Sequence, residues 1–199
     1  MDQPGRLHNG SMAKYLFFVG LLALGFSAGA QAFELSPESF VEYEASDPRE
    51  SWTGRAPIAD LELTLDPNNV RATQLVVTLN PGQFDSGSFI RDANARRSVF
   101  ETGTYPDITF TATRISTPDN AVPEGDTREV SLRGDLTMHG VTQTVSFPVS
   151  VRREENRLSV TGEVEVLLSD FEMTRPKFLN WVVEDKVKVR LNVMGALTP

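Results

Sequence analysis

Beyond residue 32 the chain holds one histidine, His139, and it has no cysteine at any position. A histidine acting as general base needs a nucleophile and an orienting acid beside it. His139 instead stands between Met138 and Gly140, in what reads as a two-residue hairpin turn, where backbone geometry accounts for a polar residue before glycine. One histidine without cysteine is too few ligands for a zinc or copper site, so no metal is expected. Carboxylates are numerous, but they fall in turns and on the polar faces of strands, where solvation is their ordinary fate. Gly82, Gly87 and Gly103 are isolated turn glycines and not a phosphate-cradling loop. A hydrolase or isomerase therefore finds no foothold, and no catalytic residue is assigned. The densest charge group is Arg91-Asp92 beside Arg96-Arg97. Arg91 would either hold a polar head group at a cavity mouth or, with Asp92, pair or cap locally for little energy.

The elements that must position these residues alternate with period two. Leu61, Leu63 and Leu65 alternate with polar residues, as do Leu75, Val77 and Leu79. Ile108, Phe110 and Ala112 oppose Thr109, Thr111 and Thr113. Val141, Val145, Phe147, Val149 and Val151 share one parity, and Leu158, Val160, Val164, Val166 and Leu168 share another. Val187, Val189, Leu191 and Val193 oppose Lys186, Lys188, Arg190 and Asn192. Such segments are half-buried antiparallel strands, and one way to hide their apolar faces is to curl the sheet into a closed barrel. Reversals are expected at Asp66–Asn69, Asn80–Gly82, Pro118–Gly125 and Glu154–Asn156. Two stretches break the pattern. Ser88 could cap a short helix through Phe100, with Phe89, Ile90, Ala93 and Phe100 near one face, and Arg175–Trp181 forms an irregular crossing. Both fall where a barrel needs a lid. Pattern alone leaves open whether the apolar faces fill the barrel or line a lumen.

The amino terminus reads as an export signal: Lys14, an apolar core over Tyr15–Phe26 and an Ala30-Gln31-Ala32 cleavage site before Phe33. The apolar core is shorter than the roughly 20 residues of a membrane span. Met12 opens a more ordinary signal than Met1, so residues 1–11 read as a misassigned start or an expression remnant. Residues 33–199 then make one domain in the periplasm, without stable membrane insertion. The chain carries a net charge of −8, and residues 1–32 contribute +1 through Arg6 and Lys14 against Asp2, leaving −9 on the domain. That acidity disfavours nucleic acid as a partner.

Several motifs in order then resemble one family: Arg91-Asp92, Val99-Phe100, Tyr105-Pro106, Ile108-Thr109-Phe110, and Gly134-Asp135-Leu136-Thr137-Met138-His139-Gly140-Val141-Thr142, with the closing strand Val183–Val193. Together they resemble the YceI-like family. The resemblance implies an all-β fold, an extended antiparallel eight-stranded lipocalin-like barrel with a short helix or loop lid. It also implies an isoprenoid lipid or quinone as the bound ligand in place of a cofactor, and a non-catalytic role; a homodimer is compatible with it. Phe89, Arg91, Phe100, Ile108, Phe110, Phe147, Phe171 and Trp181 are the expected ligand-facing residues. The alternative is a barrel filled by its own side chains, acting in interaction or stress response. The segment Trp52–Ile58 departs from the family pattern through Arg55 and Pro57. It predicts an edge, a bulge or a strand start, since Pro57 has no N–H to donate, and a lumen altered nearby.

Overall fold

A computed structural model describes residues 31–178 and 180–198; of the expected signal segment, residues 1–32, all but Gln31 and Ala32 lie outside the described residues. In chain order the strands are β1 (Gln31–Leu35), β2 (Phe40–Ser46), β3 (Ser51–Pro57), β4 (Asp60–Leu65), β5 (Gln74–Leu79), β6 (Ile108–Ser116), β7 (Thr127–Met138), β8 (Val141–Glu154), β9 (Arg157–Leu167), β10 (Lys177–Phe178), β11 (Trp181–Val182) and β12 (Lys186–Thr198). The one α-helix among the described residues, α1 (Phe89–Asn94), continues into a π-helical turn over Ala95–Val99.

Ten of these strands form one antiparallel sheet that closes on itself, because β12 pairs with both β1 and β2. β1 and β2 lie end to end along β12, Phe33 facing Leu197 and Val41 facing Leu191. β3 and β4 lie end to end on their other side, with Phe40 facing Pro57 and Ala32 facing Thr64. Each pair acts as one bent stave, so the closed antiparallel barrel has eight. Pro57 ends β3 at the second bend, where its missing N–H costs no ladder bond.

The alternation read from the sequence sets the faces. Odd residues of β2, β4, β5, β8 and β12 and even residues of β7 and β9 point inward, and most line the interior. One irregularity between Ala112 and Arg114 re-aims β6, so that Phe110 and Ile115 both face in. Inward glycines make room for large neighbours: a Cβ at Gly54 would overlap the Tyr43 ring, and one at Gly134 the ring of Phe110. His139 and Gly140 both have positive φ, 54° and 76°, as the predicted two-residue hairpin between β7 and β8 requires.

Outside, charged side chains ladder across staves. Arg190 on β12 donates to Glu44 and Glu42 on β2 (2.6 and 3.4 Å) and to Glu163 on β9 (3.1 Å). These outward pairs leave the interior to apolar groups.

Candidate ligand cavity

Inside, the apolar residues do not form one continuous core. One buried cluster includes Val41, Ala56, Phe84, Val99, Ile108, Val166 and Phe171, at the α1 end. A second includes Leu65, Val70, Ile115, Val122, Leu132, Phe147 and Val149, at the opposite end. Between them Val160, Val164 and Leu191 touch both clusters yet are only partly buried. Inward side chains that keep accessible surface face empty space. The waist is hollow: a cavity of about 880 Å³ runs through the barrel, walled mainly by valine, leucine, isoleucine and phenylalanine. That volume is within the range of small-molecule and cofactor sites.

The two ends of the cavity differ. At the far end Val70, on a short 3₁₀ turn (Val70–Ala72), and Val122, in the β6–β7 connection, act as an apolar plug. Their loops are tied together, since the Val70 amide donates to the Asn120 carbonyl (3.1 Å) and the Val122 amide to that of Pro67 (2.9 Å). Nearly all the polar lining groups lie at the other end: Tyr43, Asp47, Arg49, Glu50, Trp52, Ser88, Arg91, Asn94 and Lys177. They come from β2, β3 and the turn between them, from α1 with its cap, and from the β10–β11 hairpin, which rim one mouth.

Ser86 organises the mouth. Its hydroxyl donates to the Asp92 carboxylate (2.5 Å), its amide donates to the same oxygen (3.1 Å), and the hydroxyl oxygen accepts from Arg91 Nε (2.9 Å). Arg91 Nη2 also donates to the Ser86 carbonyl (3.1 Å). Arg91 and Asp92 are thus joined through a serine instead of pairing directly. The guanidinium lies 5.1 Å from the Trp52 ring centre and 4.0 Å from Glu50. Below it Tyr43 meets Phe84 edge-on at 5.1 Å, and Phe84 stacks on Phe100 at 5.7 Å. Burial, reinforced by the nearby Asp92 charge, raises the Tyr43 pKa above its usual value, keeping the phenol neutral as a hydrogen-bonding group.

Six of the eight expected ligand-facing residues line this cavity. Phe100 and Ile108 lie toward the mouth, Phe110 and Phe147 face each other across the wall with ring centres 5.6 Å apart, and Arg91 and Trp181 are on the rim. Two are elsewhere. Phe171 is only 1% exposed, packed in the buried cluster outside the cavity lining. Phe89 is 81% exposed and points away from the cavity. The expected apolar helix face is also corrected. Ser88 does cap α1, accepting from the Arg91 amide, but the residue buried on the helix is Asp92, 5% exposed, while Ile90 is 78% exposed. The hydrogen bonds from Ser86 fix the helix by its acid, which turns Phe89 away from the cavity and leaves Ile90 exposed at its edge.

Tyr43 and Trp52 were missed. Val41, Tyr43 and Ala45 alternating with Glu42 and Glu44 is the same period-two signal and would have found Tyr43, and Trp52, Gly54 and Ala56 alternating with Thr53 and Arg55 would have found Trp52. His139 is more than a turn residue. Its Nδ1 is 3.2 Å from the Phe171 carbonyl, Nε2 is 3.5 Å from Glu101, and its ring is 4.5 Å from that of Tyr105. It ties three loops together but is not part of the cavity lining.

The arrangement can hold an elongated apolar molecule with one polar end. Residues 36–194 match the YceI-like domain. The chain is 29% identical to Protein YceI of Escherichia coli O157:H7 over 174 residues, which cover 80% of this chain and 87% of that protein. It is 28% identical to Protein YceI of Salmonella agona (strain SL483) over 79% of this chain and 84% of the relative. Among solved structures, Burkholderia cenocepacia BcnA superposes with a TM-score of 0.69 at 21% identity, over 81% of this chain and 99% of the other. A polyisoprenoid-binding domain from Saccharophagus degradans, implicated in plant cell wall breakdown, superposes with a TM-score of 0.63 at 16% identity, over 84% and 98%. The family match spans most of the chain and both structures share its barrel, so this chain belongs to the YceI-like family.

Proposed function

We propose that this protein binds a long apolar isoprenoid chain, a lipid or a quinone, tail-first in the barrel, and carries or sequesters it in the periplasm. The observation that carries the reading is the polarity of the cavity, a hollow apolar waist plugged at one end and polar almost exclusively at the mouth. A hollow waist also argues against the filled-barrel alternative. The fold shared with a polyisoprenoid-binding domain supports the ligand class. The Lys14–Ala32 signal pattern supports the compartment.

Affinity in this reading comes from the tail. Each methylene removed from water contributes about 0.8 kcal/mol, whereas a partly exposed ionic contact such as one to Arg91 is worth at most about 1 kcal/mol. Organic extraction of protein purified from its native periplasm, followed by mass spectrometry, should yield an isoprenoid. In titrations, shortening the ligand by one isoprene unit should weaken binding more than Arg91→Ala does. Loss of binding in Arg91→Ala with indifference to chain length would make the head group dominant and refute the container. Failure to bind isoprenoids of any length would refute the ligand class.

A further inference from the structure

Soluble barrels seldom gather exposed large apolar side chains in one place. Here the exposed large hydrophobic residues among those described are Phe89, Ile90, Leu167, Trp181 and Val182, and all but Leu167 belong to two elements at the cavity mouth. Phe89 and Ile90 open α1, while Trp181 and Val182 form one strand of the β10–β11 hairpin. A chain of contacts joins the two elements across the opening: Arg91 of α1 approaches Glu50, and the adjacent Arg49 lies 5.9 Å from the Trp181 ring. Ile90 and Trp181 both line the cavity as well, so the exposed apolar rim is continuous with the apolar lumen.

The rim is far less acidic than the chain. Over residues 47–50, 88–97 and 174–185 the cations Arg49, Arg91, Arg96, Arg97, Arg175 and Lys177 stand against Asp47, Glu50, the buried Asp92, Glu184 and Asp185, in a protein of net charge −8. Exposed aromatic and aliphatic side chains ringed by arginine and lysine are the composition of a surface that lies in the head-group region of an anionic bilayer. A tryptophan beside arginine suits that interface, since its ring is amphipathic.

We infer that the mouth is a peripheral membrane-docking surface. Phe89 and Ile90 on one side and Trp181 and Val182 on the other enter the lipid interface, and the surrounding cations engage anionic head groups. The opening then faces the bilayer, and a lipid tail passes between membrane and lumen without crossing water. The exposure of Phe89 and Ile90, which leaves a charged residue as the anchor of α1, has a use in this arrangement.

The test is sedimentation of the purified protein with phosphatidylcholine vesicles, with and without phosphatidylglycerol, at low and high salt. The vesicles contain no isoprenoid, so the result does not depend on what the cavity holds. The protein should co-sediment with the phosphatidylglycerol vesicles. Phe89→Ser combined with Ile90→Ser should weaken partitioning by about tenfold or more, with an unchanged circular dichroism spectrum because both side chains are already in solvent. Omitting phosphatidylglycerol should weaken it by about fivefold for each basic group that engages the surface. Leu167→Ser, an exposed apolar residue outside the rim, should leave partitioning unchanged. Absence of co-sedimentation at low salt would overturn the inference, and so would binding that survives the double substitution. A dimer in sedimentation velocity that the double substitution dissociates, without vesicle binding, would assign the rim to a second copy of this chain instead.

Discussion

Replacing Val164 with tryptophan would put an indole into the waist of the barrel. Val164 points inward from β9 opposite Val189 of β12, lines the cavity and keeps accessible surface although it touches both buried clusters. A larger side chain there enters empty volume, so the overpacking cost of about 1–3 kcal/mol that a filled core exacts should be absent and stability should change by less than about 1 kcal/mol. The same substitution at Val149, which lines the plugged end but is only 2% exposed within the far cluster, has little free space and should incur most of that cost. The indole at position 164 would cover on the order of 100 Å² of lining otherwise available to a tail. At roughly 25 cal/mol per Å² that is about 2.5 kcal/mol, or about sixtyfold weaker binding. Denaturant midpoints of the two variants measure the stability contrast, and isoprenoid titration of Val164→Trp measures the affinity. Equal destabilisation at both positions would mean that the waist is packed. A stable Val164→Trp protein that binds as tightly as the parent would place the ligand outside the barrel.

Phe110→Asp would set a carboxylate against the Phe147 ring in the apolar wall. It should cost several kcal/mol and abolish ligand retention, as thermal melting and extraction would report. His139→Asn keeps the positive φ of the turn but loses the bond to the Phe171 carbonyl and the contact with Tyr105, so it should destabilise by about 2 kcal/mol and leave isoprenoid affinity unchanged; an unchanged melting temperature would mean those contacts carry nothing. Asp185 accepts from the Ser169 hydroxyl (2.6 Å) and amide (2.9 Å), which hold its pKa below the usual carboxylate value. A depressed pKa contributes stability that is present above about pH 4 and lost as the pH falls through the lowered value. Ser169→Ala should therefore flatten part of the acid limb of a stability–pH profile. Tyr43 behaves in the opposite sense: its pKa is raised, so stability should hold up to about pH 10 and fall as the pH climbs through the elevated value, a decline that Tyr43→Phe should reduce.

The strands were legible because one face of each meets an apolar interior and the other meets water, and period two follows wherever that is so. Leu61-Leu63-Leu65 and Val187-Val189-Leu191-Val193 could be read directly for this reason, and His139-Gly140 because a tight hairpin needs positive φ at both positions. What the interior holds was not legible. Val164 at the waist and Val149 in the packed end have the same local pattern, and only the curvature of the closed barrel separates them. The helix shows a second limit. Ser88 announced its start, but its orientation is set by Ser86 bonding Asp92, a contact between polar residues that hydrophobic periodicity does not register, so Phe89 was assigned to the wrong side. The role of His139 as a tie between loops depends on Phe171 and Glu101, both distant in sequence.

The pairing of β1 with β12 bears on how such a chain reaches its final form. Phe33 faces Leu197 and Leu35 faces Gly195 in one ladder, so the first and last strands of the domain meet. The β7–β8 and β8–β9 hairpins can form as soon as their own residues are available, but the ring cannot shut until the last strand is present. Contacts of such long range make folding slow, on the order of milliseconds to seconds. Throughout that interval the apolar faces that will become the lumen are exposed on an open sheet with two unpaired edges, the state most prone to aggregation. For a chain that emerges amino terminus first, β1 is made at the outset and waits longest for its partner. Removing Val193–Thr198 would accordingly leave an unclosed sheet and not a smaller barrel, and a holdase would find its substrate in the interval before closure.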